Sequence, residues 1–71
     1  MKRTAVTSSS LASIGYSPSH GTLEVEFNHG AVYQYLDVPA EVFAAFVAAE
    51  SKGTFFNKAV KERYSFRQVR P

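Results

Sequence analysis

The sequence predicts an α+β domain: two helices packed on one face of a small antiparallel sheet of three strands, with a fourth short strand allowed at the C-terminus. Three observations carry that expectation. The first is the alternation Leu23-x-Val25-x-Phe27, closed by the turn Asn28-His29-Gly30 and returned through Tyr33-x-Tyr35. The second is the recurrence of Val42, Phe43, Phe46 and Val47 at helical spacing behind Pro39. The third is order, since strand-like segments come first and helix-like ones follow, rather than the two alternating.

Met1 to Val6 has no apolar pattern and is expected to be frayed. Leu11 to Tyr16 reads as the first strand, with Gly15 marking a bulge or a close backbone approach. Ser17-Pro18-Ser19-His20-Gly21 is a turn cluster. Thr22 to Phe27 is the second strand and Ala31 to Leu36 the return strand. The turn between them decides which way the tyrosines face. A two-residue His29-Gly30 loop would set Tyr33 opposite Glu26, on the polar face. A three-residue loop would set Phe27 opposite Ala31, Val25 opposite Tyr33 and Leu23 opposite Tyr35, on the apolar face. Glycine in third place supplies the left-handed residue of the second type and favours it.

Pro39 suits the first turn of a helix, and the alanines that follow favour one from about Pro39 to Ser51, with Gly53 as its stop. Thr54 is placed to cap a second helix that turns Phe55, Phe56, Ala59 and Val60 inward and Asn57, Lys58, Lys61 and Glu62 outward. Adjacent helical residues diverge by about 100°, so Phe55 and Phe56 can both be buried only if that helix is flanked on two sides; otherwise one of them is a partner contact. Tyr64 to Val69 alternates weakly and fits either an edge strand or an extended segment, with residues 70–71 as a tail.

At 71 residues the chain has room for one domain spanning 1–71. A domain of this size buries roughly 60% of its unfolded surface, so each large apolar side chain matters. There is no cysteine, and His20 and His29 lack the companions of a zinc site, so no metal or cofactor is expected. No apolar run approaches a membrane span and Met1-Lys2-Arg3 leads into a polar stretch, which points to a cytoplasmic protein. Charge is unevenly distributed. Through Ser51, two cations stand against five acids; from Lys52 onward, six cations stand against one.

Read together, Ser8-Ser9, Ile14-Gly15-Tyr16, Leu23-x-Val25-x-Phe27-x-x-Gly30, Tyr33-x-Tyr35, Val38-Pro39, Ala49-x-Ser51-x-Gly53 and Phe55-Phe56-Asn57 with Val60 resemble the KTSC domain family. The resemblance runs over Val6 to about Phe66. That family is named for the C-terminus of some lysyl-tRNA synthetases and also occurs as single-domain bacterial proteins. Tyr33-x-Tyr35 falls on its central motif. What the resemblance implies is a free-standing domain without an assigned role, with RNA binding suggested by the synthetase context.

Lys52, Lys58, Lys61, Arg63, Arg67 and Arg70 form the candidate nucleic-acid-binding set, because each phosphate they neutralise releases counterions. The plainer account is that they are solvated charges keeping a small domain soluble. Lys58 and Lys61 lie three apart and are expected to share a helix face. Gly53, Thr54 and Asn57 form a candidate anion site at the start of the second helix, against a plain capping role. Tyr33 and Tyr35 would either stack bases from an exposed sheet or, as the turn argues, fill the core with their hydroxyls at its rim. No acid completes a triad with His20 or His29 and the neighbouring serines, so no catalytic residue is assigned and a non-enzymatic module is expected. The expected partner is RNA. The alternative is a protein, or a second copy, docked on an open sheet edge or an exposed aromatic.

Overall fold

The computed structural model describes residues 1–71, and its sheet holds five antiparallel strands rather than three or four. They are β1 (Arg3–Ala5), β2 (Leu11–Ser17), β3 (Thr22–Phe27), β4 (Val32–Tyr35) and β5 (Phe66–Arg70), and they lie side by side in chain order. Between β4 and β5 the chain forms α1 (Ala40–Ala48) and α2 (Lys52–Phe55), the latter running on into a π-helical turn over Phe56–Val60. No helix is long and apolar enough to cross a membrane.

The β3–β4 hairpin follows the three-residue loop. Leu23 pairs with Tyr35 and Val25 with Tyr33, while the Phe27 N–H donates to the Ala31 carbonyl at 2.9 Å. Gly30 makes this possible with φ 103°, a conformation side-chain-bearing residues avoid. One strand earlier, the uneven spacing of Leu11 and Ile14 is explained by a bulge. Leu11 pairs with Phe27 and Ser13 with Glu26, so Ala12 is the extra residue and both apolar side chains reach the same face.

The expected fraying of residues 1–6 is corrected by β1, which pairs Arg3 with Gly15 and Thr4 with Ile14. Gly15 is the reason. A Cβ there would lie 2.5 Å from the Lys2 carbonyl oxygen, so the close backbone approach expected of this glycine is what admits the edge strand. The C-terminal segment is likewise a strand through Arg70, not a tail.

The first helix is shorter than its sequence pattern. It ends at Ala48, Ala49 turns extended (φ −66°, ψ 137°), and Gly53 lies inside α2 rather than stopping α1. The cap of α2 is Ser51, not Thr54: its Oγ accepts from the Thr54 N–H at 3.2 Å. Within the second helical segment Phe56 and Val60 are buried and Phe55 is half-buried. Both neighbouring phenylalanines are accommodated because α2 is flanked on two sides. Phe55 stacks on Phe46 of α1, centroids 5.1 Å apart, while Phe56 meets Tyr35 and Phe27 of the sheet edge-on at 5.5 and 5.4 Å. The core between helices and sheet is Leu11, Ile14, Leu23, Val25, Tyr35, Val38, Phe46, Phe56 and Val60. Val47, expected to face inward, is half exposed, because its step around α1 from Phe46 carries it off the sheet.

Candidate functional site

Strand alternation gives the sheet two unlike faces. On the outer face a polar row crosses the whole sheet, from β1 to β5. Arg3 Nη1 meets Glu24 Oε2 at 2.7 Å, Gln34 Nε2 donates to Glu24 Oε1 at 2.8 Å, and Arg67 donates to Gln34 Oε1 from Nε and Nη2 at 2.9 and 2.7 Å. Arg70 Nη2 meets Glu26 Oε2 at 2.9 Å and its Nε donates to the Gly30 carbonyl at 2.9 Å. The Ser13 hydroxyl, with Arg3 and Arg70, holds the Glu26 carboxyl below its usual range against a smaller opposing effect of desolvation. Arg67 and Arg70 share this face because β5 carries an extra residue. Gln68 pairs with Tyr33 but Arg70 with Val32, so a bulge turns Arg70 outward.

The inner face is aromatic beyond the reach of the helices. Tyr33 and Tyr35 stack at 6.4 Å, and Phe66 leans on both at 5.3 and 5.5 Å. Phe27 meets Tyr33 edge-on at 5.5 Å and lies parallel to His29 at 5.7 Å. These rings, with Phe56, line an open groove of about 560 Å³ whose polar lining is Ser10, Asn57, Lys61 and Glu62. Tyr35 is buried, as the turn implied, whereas Tyr33 is half-buried and Phe66 is 53% exposed. The tyrosines are thus core residues and groove wall together.

Burial, with the neighbouring Tyr33, pushes the Tyr35 phenol up to about 12. It stays protonated at neutral pH. Since its folded pKa lies above the unfolded value of about 10, the stability it contributes is complete below pH 10 and is lost as pH rises toward 12. Urea midpoints followed by circular dichroism should therefore fall over that window, and Tyr35→Phe should flatten the fall.

The six basic residues are not one patch. Lys61 lines the aromatic groove. Lys58 and Arg63 border a different concavity, between the two helical segments, with Val42, Phe55 and Tyr64. Lys58 and Lys61 diverge because the Lys61 N–H bonds to the Phe56 carbonyl at 2.9 Å, five residues back, and in this wider turn positions three apart no longer align. Lys52 Nζ donates to the Ala49 carbonyl at 2.6 Å, tying the end of α1. Arg67 and Arg70 belong to the outer face.

Gly53, Thr54 and Asn57 line a pocket of about 350 Å³ with Lys52, Glu50 and the hydroxyl residues Thr7, Ser8, Ser9, Ser10 and Ser51, so an acid stands in the candidate anion site. Ser10, Gly53 and Asn57 are common to this pocket and the aromatic groove, so the two adjoin. Phe27, His29, Phe66 and Glu62 were not among the site residues read from the sequence. The available signal was register: once Leu23 is set opposite Tyr35, a final strand beginning at Phe66 falls beside both tyrosines.

Comparison with known proteins agrees with this architecture. The family model of the KTSC domain matches residues 7–64. An uncharacterized protein of Stutzerimonas stutzeri (strain A1501) is 50% identical over 64 residues, covering 90% of each chain. A lysine–tRNA ligase of Nostoc sp. (strain PCC 7120) is 37% identical over 54 residues, which are 76% of this chain but 10% of the ligase. The crystal structure of a KTSC domain protein from Yersinia pestis superposes with a TM-score of 0.91 at 40% identity, covering 96% of both chains. This chain, matched over most of its length and in its fold, belongs to the KTSC domain family.

Proposed function

We propose that the domain is a non-enzymatic binding module for single-stranded RNA, and that an unpaired base enters the aromatic groove. The observation that carries this is the groove itself: exposed Phe66, half-buried Tyr33 and the hairpin-tip ring of His29 surround a space of about 560 Å³. Aromatic faces bind bases with roughly 1–3 kcal/mol of stacking each. Lys61 on the same groove supplies a cation for a flanking phosphate, and the adjoining hydroxyl-lined pocket with Gly53, Thr54, Asn57 and Glu50 receives the ribose, from whose hydroxyls the Glu50 carboxylate can accept. The relationship to a segment of enzymes named lysine–tRNA ligases favours an RNA ligand. This assigns stacking the main role and reduces the contribution of Arg67 and Arg70, which are already bonded to Gln34, Glu26 and Gly30.

Anisotropy of a labelled mixed-sequence RNA 12-mer, titrated in about 50 and 200 mM salt, tests the reading. Binding is expected at the lower salt, with Phe66→Ala weakening it by the stacking of one base, roughly 5- to 100-fold. Lys61→Gln should lower the salt slope by about one. No binding at the lower salt sinks the proposal.

A second reading rests on β5, an edge strand exposed at every residue with Phe66 and Val69 half open. Such an edge accepts an extended peptide as a sixth strand. Loss of binding on Val69→Pro but not on Phe66→Ala would favour it.

A further inference from the structure

Resting on the reading of the groove as a base site, we propose that the groove selects guanine, through the carboxylate of Glu62. Glu62 is the only acid lining the groove. The ion pairs of this protein engage Glu24 and Glu26, and no side-chain hydrogen bond involves Glu62. Glu62 is exposed and its two oxygens are uncommitted, at the rim of a groove whose other polar lining is Ser10, Asn57 and Lys61.

An ionised carboxylate only accepts hydrogen bonds, and it repels phosphate. The group that matches it within a nucleotide is a base edge with donors side by side. Guanine presents N1–H and the N2 amino group together, one for each oxygen, and its neighbouring O6 is an acceptor suited to the Lys61 ammonium on the same groove. Adenine and cytosine set a ring nitrogen acceptor beside their single amino group. Uracil flanks its one N–H with two carbonyls. In each of these three, bringing the base edge to Glu62 faces at least one acceptor with another. A site built to accept from two donors rejects ligands that leave it unmatched more strongly than it rejects a change in shape. The purine also gives the rings of Tyr33 and Phe66 a larger surface to cover.

The test uses the whole chain and four labelled RNA octamers: oligouridine carrying one central G, A, C or U. The G octamer is expected to bind roughly 5- to 100-fold tighter than the all-uridine one. Glu62→Gln should remove most of that preference, chiefly by letting the all-uridine octamer bind more tightly once the charge that faces its carbonyls and phosphates is gone, with the far-ultraviolet circular dichroism of the parent. GMP should displace the G octamer only at concentrations well above those of unlabelled G octamer, which assigns the guanine to RNA. Equal affinity for all four octamers overturns guanine selection but leaves the groove as a base site, and a G preference that survives Glu62→Gln overturns the assignment of that selection to Glu62. GMP competing as well as the G octamer overturns RNA as the source of the base. Failure of every octamer to bind removes the base-site reading and this proposal with it.

Discussion

Phe46→Ala is expected to remove roughly half of the domain's stability. Phe46 is fully buried, stacks on Phe55 and belongs to the single core between helices and sheet. Removing a buried phenyl ring typically costs about 3–5 kcal/mol, part lost transfer and part cavity. A chain of this length has roughly 4–10 kcal/mol in total. Nothing else compensates, since the protein has no cysteine. Thermal melts followed by circular dichroism should show the midpoint lowered by roughly 15 °C or more, with Phe46→Leu falling between Phe46→Ala and the parent. A melting temperature within a few degrees of the parent for Phe46→Ala would show that the contact between α1 and α2 is not the centre of the core.

Gly15→Val is expected to detach the N-terminal edge of the sheet without unfolding the rest. The added Cβ would meet the Lys2 carbonyl oxygen at 2.5 Å and the Arg3 Cα at 3.2 Å. Both are backbone atoms that cannot rotate aside. Relief comes from moving β1, and with it go the pairing of Arg3 with Gly15 and the Arg3–Glu24 ion pair. Overpacking of this kind costs typically 1–3 kcal/mol. Amide exchange should quicken at the β1 residues and at their partners in β2, while the β3–β4 hairpin keeps its protection. Unchanged exchange at Ala5 and Val6 would contradict the account.

The same positions show why some of the fold was legible and some not. Gly30 announced the hairpin register because a left-handed residue in third loop position leaves one pairing compatible with Leu23, Val25 and Phe27 on one face. Val42, Phe43 and Phe46 announced α1 through their spacing. Where that helix stops was hidden, because nothing in Ala48-Ala49 signals a break; the stop is set by Ser51 capping the next segment and by Lys52 bonding back to Ala49. β1 and β5 were understated because edge strands exposed along much of their length carry little apolar alternation. The groove was harder still to foresee. Charge counted along the chain cannot say that a bulge turns Arg70 to the outer face, or that a π-helical turn separates Lys58 from Lys61.

The strand order has a kinetic side. Each of the first four strands pairs with its neighbour in sequence, so most of the sheet is built from short loops. Only the pairing of β4 with β5 must wait for both helices, which makes it the contact of longest sequence separation and the last to be rewarded during folding. Because β5 is an edge strand exposed along its length, it can also be released locally without unfolding the rest of the sheet. Phe66 rides on that strand. One wall of the groove is thus tied to the strand that closes last, and the groove can widen by local release of that strand, far faster than the domain unfolds.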